Sequence, residues 1–456
     1  MLRLFRTALL RWYIRAAAQG NEWTKDQRKR LAQELETNRP PRYAGEMSES
    51  DFRNYLPETP RYPSVDARTH TGNRMQRERP QGLFTNWRRL FEEPYKGLTI
   101  DGTVMPGLFR LQPECAPTKS VIDATNALTT MLSDEQMEAM RFPADSPIWR
   151  DWQNTELYVE THGLRLDEYP MPVRQAAMRV VEASLSASGY RKSRDVMKLN
   201  GFLGNLVNAP LVLGEWSYLF CLFGEPSPTE PWGWHLFGHH LCLNCLLIGD
   251  QMTLTPAFMG AEPTYGDEGV YAGLRLFEDE ERDGLALMQS LSAAQQETAI
   301  VARSMMGGDL PDGRRHFADN LHLGGAYQDN RVVPYEGLRA NDLSERQRRD
   351  LLGLIDCYQA YLPDGPRTAR MTEIESYLDD THFCWIGDTK QDSAFYYRIQ
   401  SPVTFIEFDH HTGVFLTNDQ PAKFHVHTIV RTPNGNDYGL DLLRLHRENS
   451  AHHHHS

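Results

Sequence analysis

The sequence predicts an α+β fold, in which helical N-terminal and middle parts surround an antiparallel or mixed sheet with a C-terminal strand meander. Three observations support this. Helix-start signals recur after Pro117, apolar runs of strand length begin near Leu236, and short strand-like segments separated by turn residues follow Ala394. Helices followed by antiparallel strands are typical of this class. The 456 residues, 40% of them hydrophobic, suffice for a large core.

Residues 1–83 are predicted to form an extension and wrapping arm. Residues 1–20 carry four arginines and no acid, and these arginines interrupt the apolar residues. A secretory segment needs about 7–15 uninterrupted apolar residues, so the segment is a surface-binding or targeting helix, an ordinary first helix or a frayed extension. No apolar run reaches the roughly 18 residues of a membrane-spanning helix, and no membrane span is expected.

Helices are predicted where apolar residues recur at helical spacing. A Ser or Thr followed three residues later by Gln or Glu forms a capping box and marks a helix start. Such pairs occur at residues 133/136, 292/295, 344/347 and 372/375. The helices are expected over residues 121–132, 171–189, 283–306 and 345–362.

Strands are predicted in two regions. The first comprises residues 236–248 and 251–258, joined by a hairpin turn at Gly249-Asp250. The second is the meander of residues 394–400, 403–409, 414–417 and 424–431. Residues 84–446 are therefore expected to form a single large domain, and residues 447–456 a disordered tail that contains histidines.

The strongest functional signal is the pair His425 and His427. Alternate residues of a strand face the same way, so both imidazoles can offer nitrogen to one metal ion. If His239 and His240 also lie on a strand, only one of them can join the pair. His240 is the first choice because it would share its face with Cys242. Three neutral imidazoles with an open fourth position suit zinc, iron or copper.

Three further residues are candidates for catalysis. Glu262 follows the histidine segment in apolar surroundings, so it is either a general base or added ligand, or a satisfied turn carboxylate. His410 is expected to point inward with Phe408 and to carry protons. Arg431 continues the face of His427 and would hold an anionic group of a substrate.

The composition excludes several other classes of function. The net charge of -13 argues against nucleic-acid binding by charge. Six cysteines in a chain of this length indicate reduced thiols and a cytoplasmic protein rather than a disulfide framework. Phosphate-binding glycine loops and the common hydrolase motifs are absent from the sequence. The expected partner is a small-molecule substrate, and a homo-oligomer is left open.

Several motifs, taken in order, resemble the domain of unknown function 3500 family. They are residues 232–234 (Trp-Gly-Trp), 238–241 (Gly-His-His-Leu), 258–263 (Phe-Met-Gly-Ala-Glu-Pro), 381–387 and 425–439. The resemblance extends over about residues 84–446 and implies a single large domain of bacterial type, but no activity. It places glutamine at the positions of His235 and His411, which implies that these two are poor ligands. The positions that match the family pattern are His239, His240, His410, His425, His427 and Arg431.

The sequence thus favours a metal-dependent enzyme with a histidine-rich mononuclear site, nominally a zinc hydrolase of a small organic substrate. The metal would lower the pKa of bound water to about 7. Iron- or copper-dependent oxidoreductase chemistry at the same imidazoles is the first alternative. A non-catalytic ligand-binding protein with structural histidines is the second.

Overall fold

A computed structural model describes residues 51–58, 65–160, 162–316 and 318–453 of the chain. Eleven α-helices and one open sheet of thirteen strands make up this part, which confirms the predicted α+β class. No helix within the described ranges is long and apolar enough to cross a membrane. Residues 1–50, including the predicted arginine-rich segment, lie outside these ranges.

The sheet is mixed but mostly antiparallel. Its strands are β1 (Arg141–Phe142), β2 (Leu164–Arg165), β3 (Tyr218–Phe223), β4 (Trp232–Gly238), β5 (Leu241–Ile248), β6 (Gln251–Thr253), β7 (Ala257–Ala261), β8 (Ile300–Ala302), β9 (Leu338–Arg339), β10 (His382–Gly387), β11 (Phe395–Gln400), β12 (Phe405–His411) and β13 (Ala422–Arg431). The order is β1-β3-β4-β5-β7-β13-β12-β11-β10-β8, and β2, β6 and β9 pair with β3, β5 and β10. Among the strands that the structure describes, only the β1–β3 and β8–β10 pairs are parallel.

The helices surround this sheet. They are α1 (Ala67–Arg74), α2 (Glu78–Glu92), α3 (Thr118–Thr129), α4 (Asp134–Met140), α5 (Met171–Ser184), α6 (Ala187–Leu206), α7 (Glu278–Ser290), α8 (Ala293–Ala299), α9 (Glu345–Gln359), α10 (Asp364–Ser376) and α11 (Leu440–His453). Three of the four predicted capping boxes are confirmed, at Ser133, Ser292 and Ser344. The fourth is wrong, because Thr372 lies inside α10.

Two predicted helices each divide in two. The helix expected over residues 171–189 ends at Ser184, and Ser186 caps the next helix by accepting a hydrogen bond from the backbone N–H of Gly189 at 3.0 Å. The helix expected over residues 283–306 becomes α7 and α8, and residues 300–302 form strand β8. Helical periodicity continued across both breaks, so periodicity alone did not reveal them.

The strand predicted over residues 236–248 is two strands, and this changes the setting of the candidate ligands. Gly238 pairs with Leu241, so His239 and His240 form the two-residue turn between β4 and β5. His240 adopts a left-handed backbone conformation with φ of 65°. Nearly every residue of β4 and β5 is buried, and strands covered on both faces read as continuous apolar runs without visible ends.

Other boundaries agree in part. The hairpin turn at Gly249-Asp250 is confirmed between β5 and β6, and three of the four meander strands are β11, β12 and β13. Residues 414–417 form no strand; they belong to the connection between β12 and β13. The described part of the N-terminal arm contributes to the core, because Phe52 is fully buried. Residues 447–453 are helical, in α11, where a disordered tail was expected.

Candidate metal centre

Three adjacent strands, β7, β13 and β12, carry the candidate metal centre. His427 on β13 lies directly opposite Gly260 on β7 and Asp409 on β12. Residues directly opposite each other in a sheet share a face, and alternate residues of one strand do too. His425, His427 and Asp409 therefore point to the same side of the sheet.

His240 reaches this face from the turn between β4 and β5. Its carbonyl oxygen accepts a hydrogen bond of 2.8 Å from the N–H of Gly260, which fixes the turn beside β7. Its ring centroid lies 5.5 Å from that of His425 and 5.0 Å from that of His427. One nitrogen from each of these three rings lies within 4.8 Å of the other two. The structure thus brings together three of the four histidines predicted as ligands.

The two histidines of β13 have a defined arrangement. Nδ1 of His425 lies 2.9 Å from the carbonyl oxygen of Thr412. A carbonyl only accepts, so Nδ1 carries the proton and Nε2 presents its lone pair. This Nε2 lies 3.2 Å from Nε2 of His427. Two ligands of one tetrahedral zinc ion are separated by about 3.3 Å, given zinc–nitrogen bonds near 2.0–2.1 Å.

A hydrogen bond between the two Nε2 atoms is the alternative to a shared ion. His427 would then donate from Nε2, and its Nδ1 would be a buried acceptor. Within the described residues, Nδ1 of His427 has no hydrogen-bond partner. Buried polar atoms without partners are rare and call for an explanation. An ion bound by both Nε2 atoms explains why they lie so close together. Nδ1 of His427 stays unpaired both with a shared ion and with a hydrogen bond between the rings.

Gly260 makes room for two of the rings. A Cβ atom at this position would lie 2.7 Å from Cδ2 of His427 and 3.1 Å from Cδ2 of His240. It would also lie 2.9 Å from the carbonyl oxygen of Val426. Real Cβ contacts are longer, so any other residue would displace the rings or the strand. The glycine is therefore part of the site.

Burial keeps the three rings neutral. It lowers the pKa of His425 to about 3, against the opposing effect of Glu262. It also lowers the pKa of His240 and of His427 well below the usual value, and the neighbouring histidines add to the effect. Neutral imidazole is the form that binds a metal ion, so the site needs little proton release to accept one.

His411 and Asp409 lie against this group. The ring centroid of His411 is 3.7 Å from that of His427. Nδ2 of Asn320 donates to Nδ1 of His411 at 2.6 Å, so the proton of His411 is on Nε2. That Nε2 lies 2.7 Å from Oδ1 of Asp409, although its N–H is poorly aligned with the oxygen. Burial raises the pKa of Asp409 to about 7.

A loop covers the polar face of β12. Oδ2 of Asp409 accepts from the N–H of Leu321 at 3.1 Å, and Glu407 accepts from the N–H groups of Leu323 and Gly324 at 2.8–3.0 Å. The same loop brings the ring of His322 to 6.2 Å from that of His427. The acidic residues of β12 therefore hold the loop that closes the site.

His239 does not join the three histidines. Its ring stacks on that of His240 with centroids 3.8 Å apart, but its Nδ1 lies 2.7 Å from Oδ1 of Asn200 on α6. Burial lowers its pKa to about 4, against the opposing charge of Glu156. The prediction that only one of the two adjacent histidines joins the site agrees with this geometry. The two rings diverge because both residues lie in a turn, and not because they alternate along a strand.

His410 lies on the opposite face of the sheet. The N–H of Phe395 donates to its Nδ1 at 3.0 Å, and its Nε2 lies 3.3 Å from Oε2 of Glu281 on α7. The sequence-based interpretation placed the site on the apolar face of β12. Both faces of β12 are buried, so apolarity did not distinguish them. The structure does not bring His410 to the three histidines.

Glu262 anchors a turn near the site. Its carboxylate accepts from the N–H groups of Val414, Phe415 and Leu416 at 2.9–3.2 Å. One oxygen lies 3.8 Å from Nδ1 of His425. Glu262 therefore orders the connection that presents the Thr412 carbonyl to His425, which favours the interpretation as a satisfied turn carboxylate.

Arg431 is engaged in a buried ionic network. It donates to Asp437 at 2.8 Å and to the carbonyl of Gly324 at 3.2 Å, and it forms an ion pair with Asp329. It stands four residues beyond His427 on β13, roughly 13 Å along the strand at about 3.3 Å per residue. Its guanidinium is paired with protein carboxylates, so a role in holding substrate has no support in this geometry.

The chain matches the family described as protein of unknown function (DUF3500) over residues 114–440. The chain belongs to this family. In this DUF3500 protein, the matched region includes His240, His425 and His427 and the residues that contact them. Neither the curated proteins nor the solved structures contain a match to the chain.

The DUF3500 domain has three groups of side chains that could hold a metal ion within its described residues. The first is the group on β13 and the β4–β5 turn. The second and third share His162 and lie near β3. Sequence reasoning missed Asp409 and His411 beside the first group. Glu407 and Asp409 alternate with the apolar Ile406 and Phe408 along β12, and His411 continues the polar face; this period of two was the available signal.

Proposed function

We propose that this protein is a metal-dependent enzyme whose ion is bound by His240, His425 and His427. The observation that carries the proposal is the convergence of three neutral, buried imidazoles, with two Nε2 atoms 3.2 Å apart. The nominal ion is zinc and the nominal reaction is hydrolysis of a small organic molecule. Iron or copper at the same imidazoles would give an oxidoreductase instead.

The surroundings of His425 support a metal ligand. Ligating histidines usually donate their second ring N–H to a carbonyl or carboxylate, which fixes the tautomer and the ring orientation. The carbonyl of Thr412 fulfils this role, and Glu262 orders the segment that supplies it. Three protein ligands leave a fourth position open, as in catalytic zinc sites, where the metal activates a water molecule.

Asp409 replaces His410 and Glu262 as the proposed proton carrier. It lies directly opposite His427 on the neighbouring strand, and one of its oxygens is 2.7 Å from His411. Its carboxyl group could accept a proton on the same face of the sheet as the three imidazoles. His410 is on the other face, and Glu262 accepts three backbone N–H groups.

Deep burial favours a second candidate function, a protein in which the metal is structural. His240, His425 and His427 are at most 4% exposed. Beside His239 lies a cavity of about 20 Å³, also lined by Gln153 and Thr155. That volume holds about one water molecule, so an organic substrate would have to displace side chains to reach the histidines.

Metal analysis of two variants tests the site. The protein is purified without metal affinity, with the tail histidines at 452–455 replaced by alanine, and then loaded with zinc. We expect His427→Ala to bind one zinc ion fewer per chain than the parent. His410→Ala removes an equally buried histidine from the opposite face and should keep the parent's zinc content. Equal zinc content in the parent and in His427→Ala would refute the proposed centre.

A further inference from the structure

A second cluster of metal-binding side chains lies at the β3–β4 pair. Cys221 on β3 and His235 on β4 are directly opposite each other and share a face of the sheet. His162, in the segment before β2, lies beside both of them. One ligand atom from each of these three residues is within 4.8 Å of the other two. The cluster shares no residue with the histidine group on β13.

The buried atoms of this cluster lack partners. His235 is fully buried, and within the described part of the chain neither of its ring nitrogens has a hydrogen-bond partner. The same holds for Nε2 of His162. Asn244, opposite His235 on β5, interacts with this ring, but its Oδ1 forms no well-aligned hydrogen bond with either nitrogen. An unsatisfied buried polar atom costs about 1–3 kcal/mol, so several in one place need an explanation.

The walls around His235 are aromatic. Phe223 and Phe237 present their edges or faces to its ring at centroid distances of 5.1 and 5.0 Å, and Trp149 lies at 6.3 Å. These rings offer no acceptor to an imidazole N–H and no strong donor to its lone pair. The polar groups within reach of His235 are those of the cluster and the amide of Asn244, which can satisfy only one of the two ring nitrogens.

We propose that His162, Cys221 and His235 form a second metal site, which binds a zinc-like divalent ion through two imidazoles and one thiolate. This reverses the expectation from the family resemblance, which implied that His235 is a poor ligand, because the structure places its ring within 4.8 Å of two other ligand groups. Nitrogen and sulfur donors in this ratio occur in zinc sites, with bonds near 2.1 and 2.3 Å. Tetrahedral ligands at those lengths are about 3.4–3.6 Å apart, so groups that lie within 4.8 Å of one another need to close by about 1.4 Å at most. On binding, the Cys221 thiol releases its proton to solvent.

Two acids beside His162 balance the charge of such a site. A divalent ion and one thiolate leave a net charge of +1. Oδ2 of Asp151 lies 3.8 Å from Nδ1 of His162, and Glu160 completes a group of three with them. Tyr327 donates to Asp151 at 2.6 Å, and Arg88 donates to Glu160 at 2.6 Å, so both carboxylates are held in place. Arg88 pairs with both carboxylates and offsets one negative charge, and the charge that remains stabilises a cation in this apolar surrounding.

Cobalt(II) spectroscopy separates this site from the first one, because only this site contains sulfur. The full chain, with the tail histidines at 452–455 replaced by alanine, is titrated with Co²⁺. We expect a thiolate-to-cobalt charge-transfer band that disappears in Cys221→Ala and in His235→Gln. The band should persist in Cys245→Ala, which removes another buried thiol, and in His427→Ala, which removes the first site.

Two results of the cobalt titration would overturn the proposal: absence of the charge-transfer band in the parent, or its survival in Cys221→Ala. Circular dichroism checks that each variant is folded. If Cys221→Ala and His235→Gln do not fold, His162→Gln decides, because this side chain is 12% exposed and better able to tolerate exchange. We expect His162→Gln to bind Co²⁺ more weakly in the charge-transfer titration by at least the roughly 10–100-fold that loss of an outer partner costs. An unchanged affinity would overturn the proposal.

Discussion

Nε2 of His425 and Nε2 of His427 lie 3.2 Å apart on one face of β13, with the proton of His425 held on Nδ1 by the carbonyl of Thr412. The first residue therefore offers a lone pair toward the second. Burial disfavours protonation of either ring, so a shared proton charge does not explain their approach. Either one neutral hydrogen bond or one shared cation joins them, and the following predictions distinguish these cases.

Replacement of Gly260 by alanine should disturb the metal centre directly. Its Cβ would come within 2.7 Å of the His427 ring and 2.9 Å of a backbone oxygen. Overpacking of this kind costs about 1–3 kcal/mol in stability, and here it should also reduce zinc content. Gly353→Ala on α9 is the control, since its Cβ would meet nothing within 4 Å. Calorimetry and metal analysis measure both effects, and a Gly260→Ala protein with normal zinc and stability would contradict the arrangement.

Removal of the charge of Glu262 should weaken the site without removing a ligand. Glu262→Gln keeps the size of the side chain but replaces one acceptor oxygen with a donor, which cannot bind the N–H groups of residues 414–416. We expect a loss of about 1–3 kcal/mol in stability. Loss of an outer partner should also lower zinc affinity by about 10–100-fold. The exposed acid Glu230 supplies the control, Glu230→Gln, for which neither quantity should change.

The sequence revealed the parts of the site that depend on near neighbours. His425 and His427 share a face because alternate strand residues always do, and the strand prediction that placed them was correct in kind. The capping boxes at Ser133, Ser292 and Ser344 were equally visible, because the signal for a helix start lies within four consecutive residues. These features need no knowledge of the rest of the fold.

The sequence did not reveal features that depend on pairing between distant segments. The opposition of Cys221 and His235 requires the register of β3 and β4, and the approach of Asp409 to His427 requires that of β12 and β13. The turn at His240 was hidden because β4 and β5 are buried on both faces, so the apolar run had no visible end. Local pattern carries no information on which strands become neighbours.

The pH dependence of stability should report the neutral state of His239. Its folded pKa of about 4 is below its unfolded value of 6.5, so the unfolded chain takes up the proton first. Stability from this residue is therefore complete above pH 6.5 and is lost as pH falls toward 4, by about 3 kcal/mol. His239→Gln has no titrating group at this position, so its free energy of unfolding should not show this decrease of about 3 kcal/mol. Urea unfolding of both metal-free proteins from pH 7.5 to 4 measures the difference, and a constant difference would show that the residue titrates normally when folded.

The effect of zinc on unfolding decides whether the first site is catalytic or structural. Zinc at 100 times its dissociation constant should stabilise the parent by about 2.7 kcal/mol, because it binds the folded chain. His427→Ala should show none of this gain from the first site, and His410→Ala should show all of it.

The metal-free proteins distinguish a catalytic from a structural ion. If the site is catalytic, the metal-free parent is cooperatively folded, and metal-free His427→Ala has a lower free energy of unfolding only by the amount that truncation of a buried side chain usually costs. If it is structural, the metal-free parent lacks a cooperative unfolding transition and zinc restores it, since binding energy is then folding energy. Cys221→Ala, measured in parallel, subtracts the contribution of the second site. Identical zinc responses in the parent and in His427→Ala would leave the 3.2 Å contact of the two rings as a hydrogen bond.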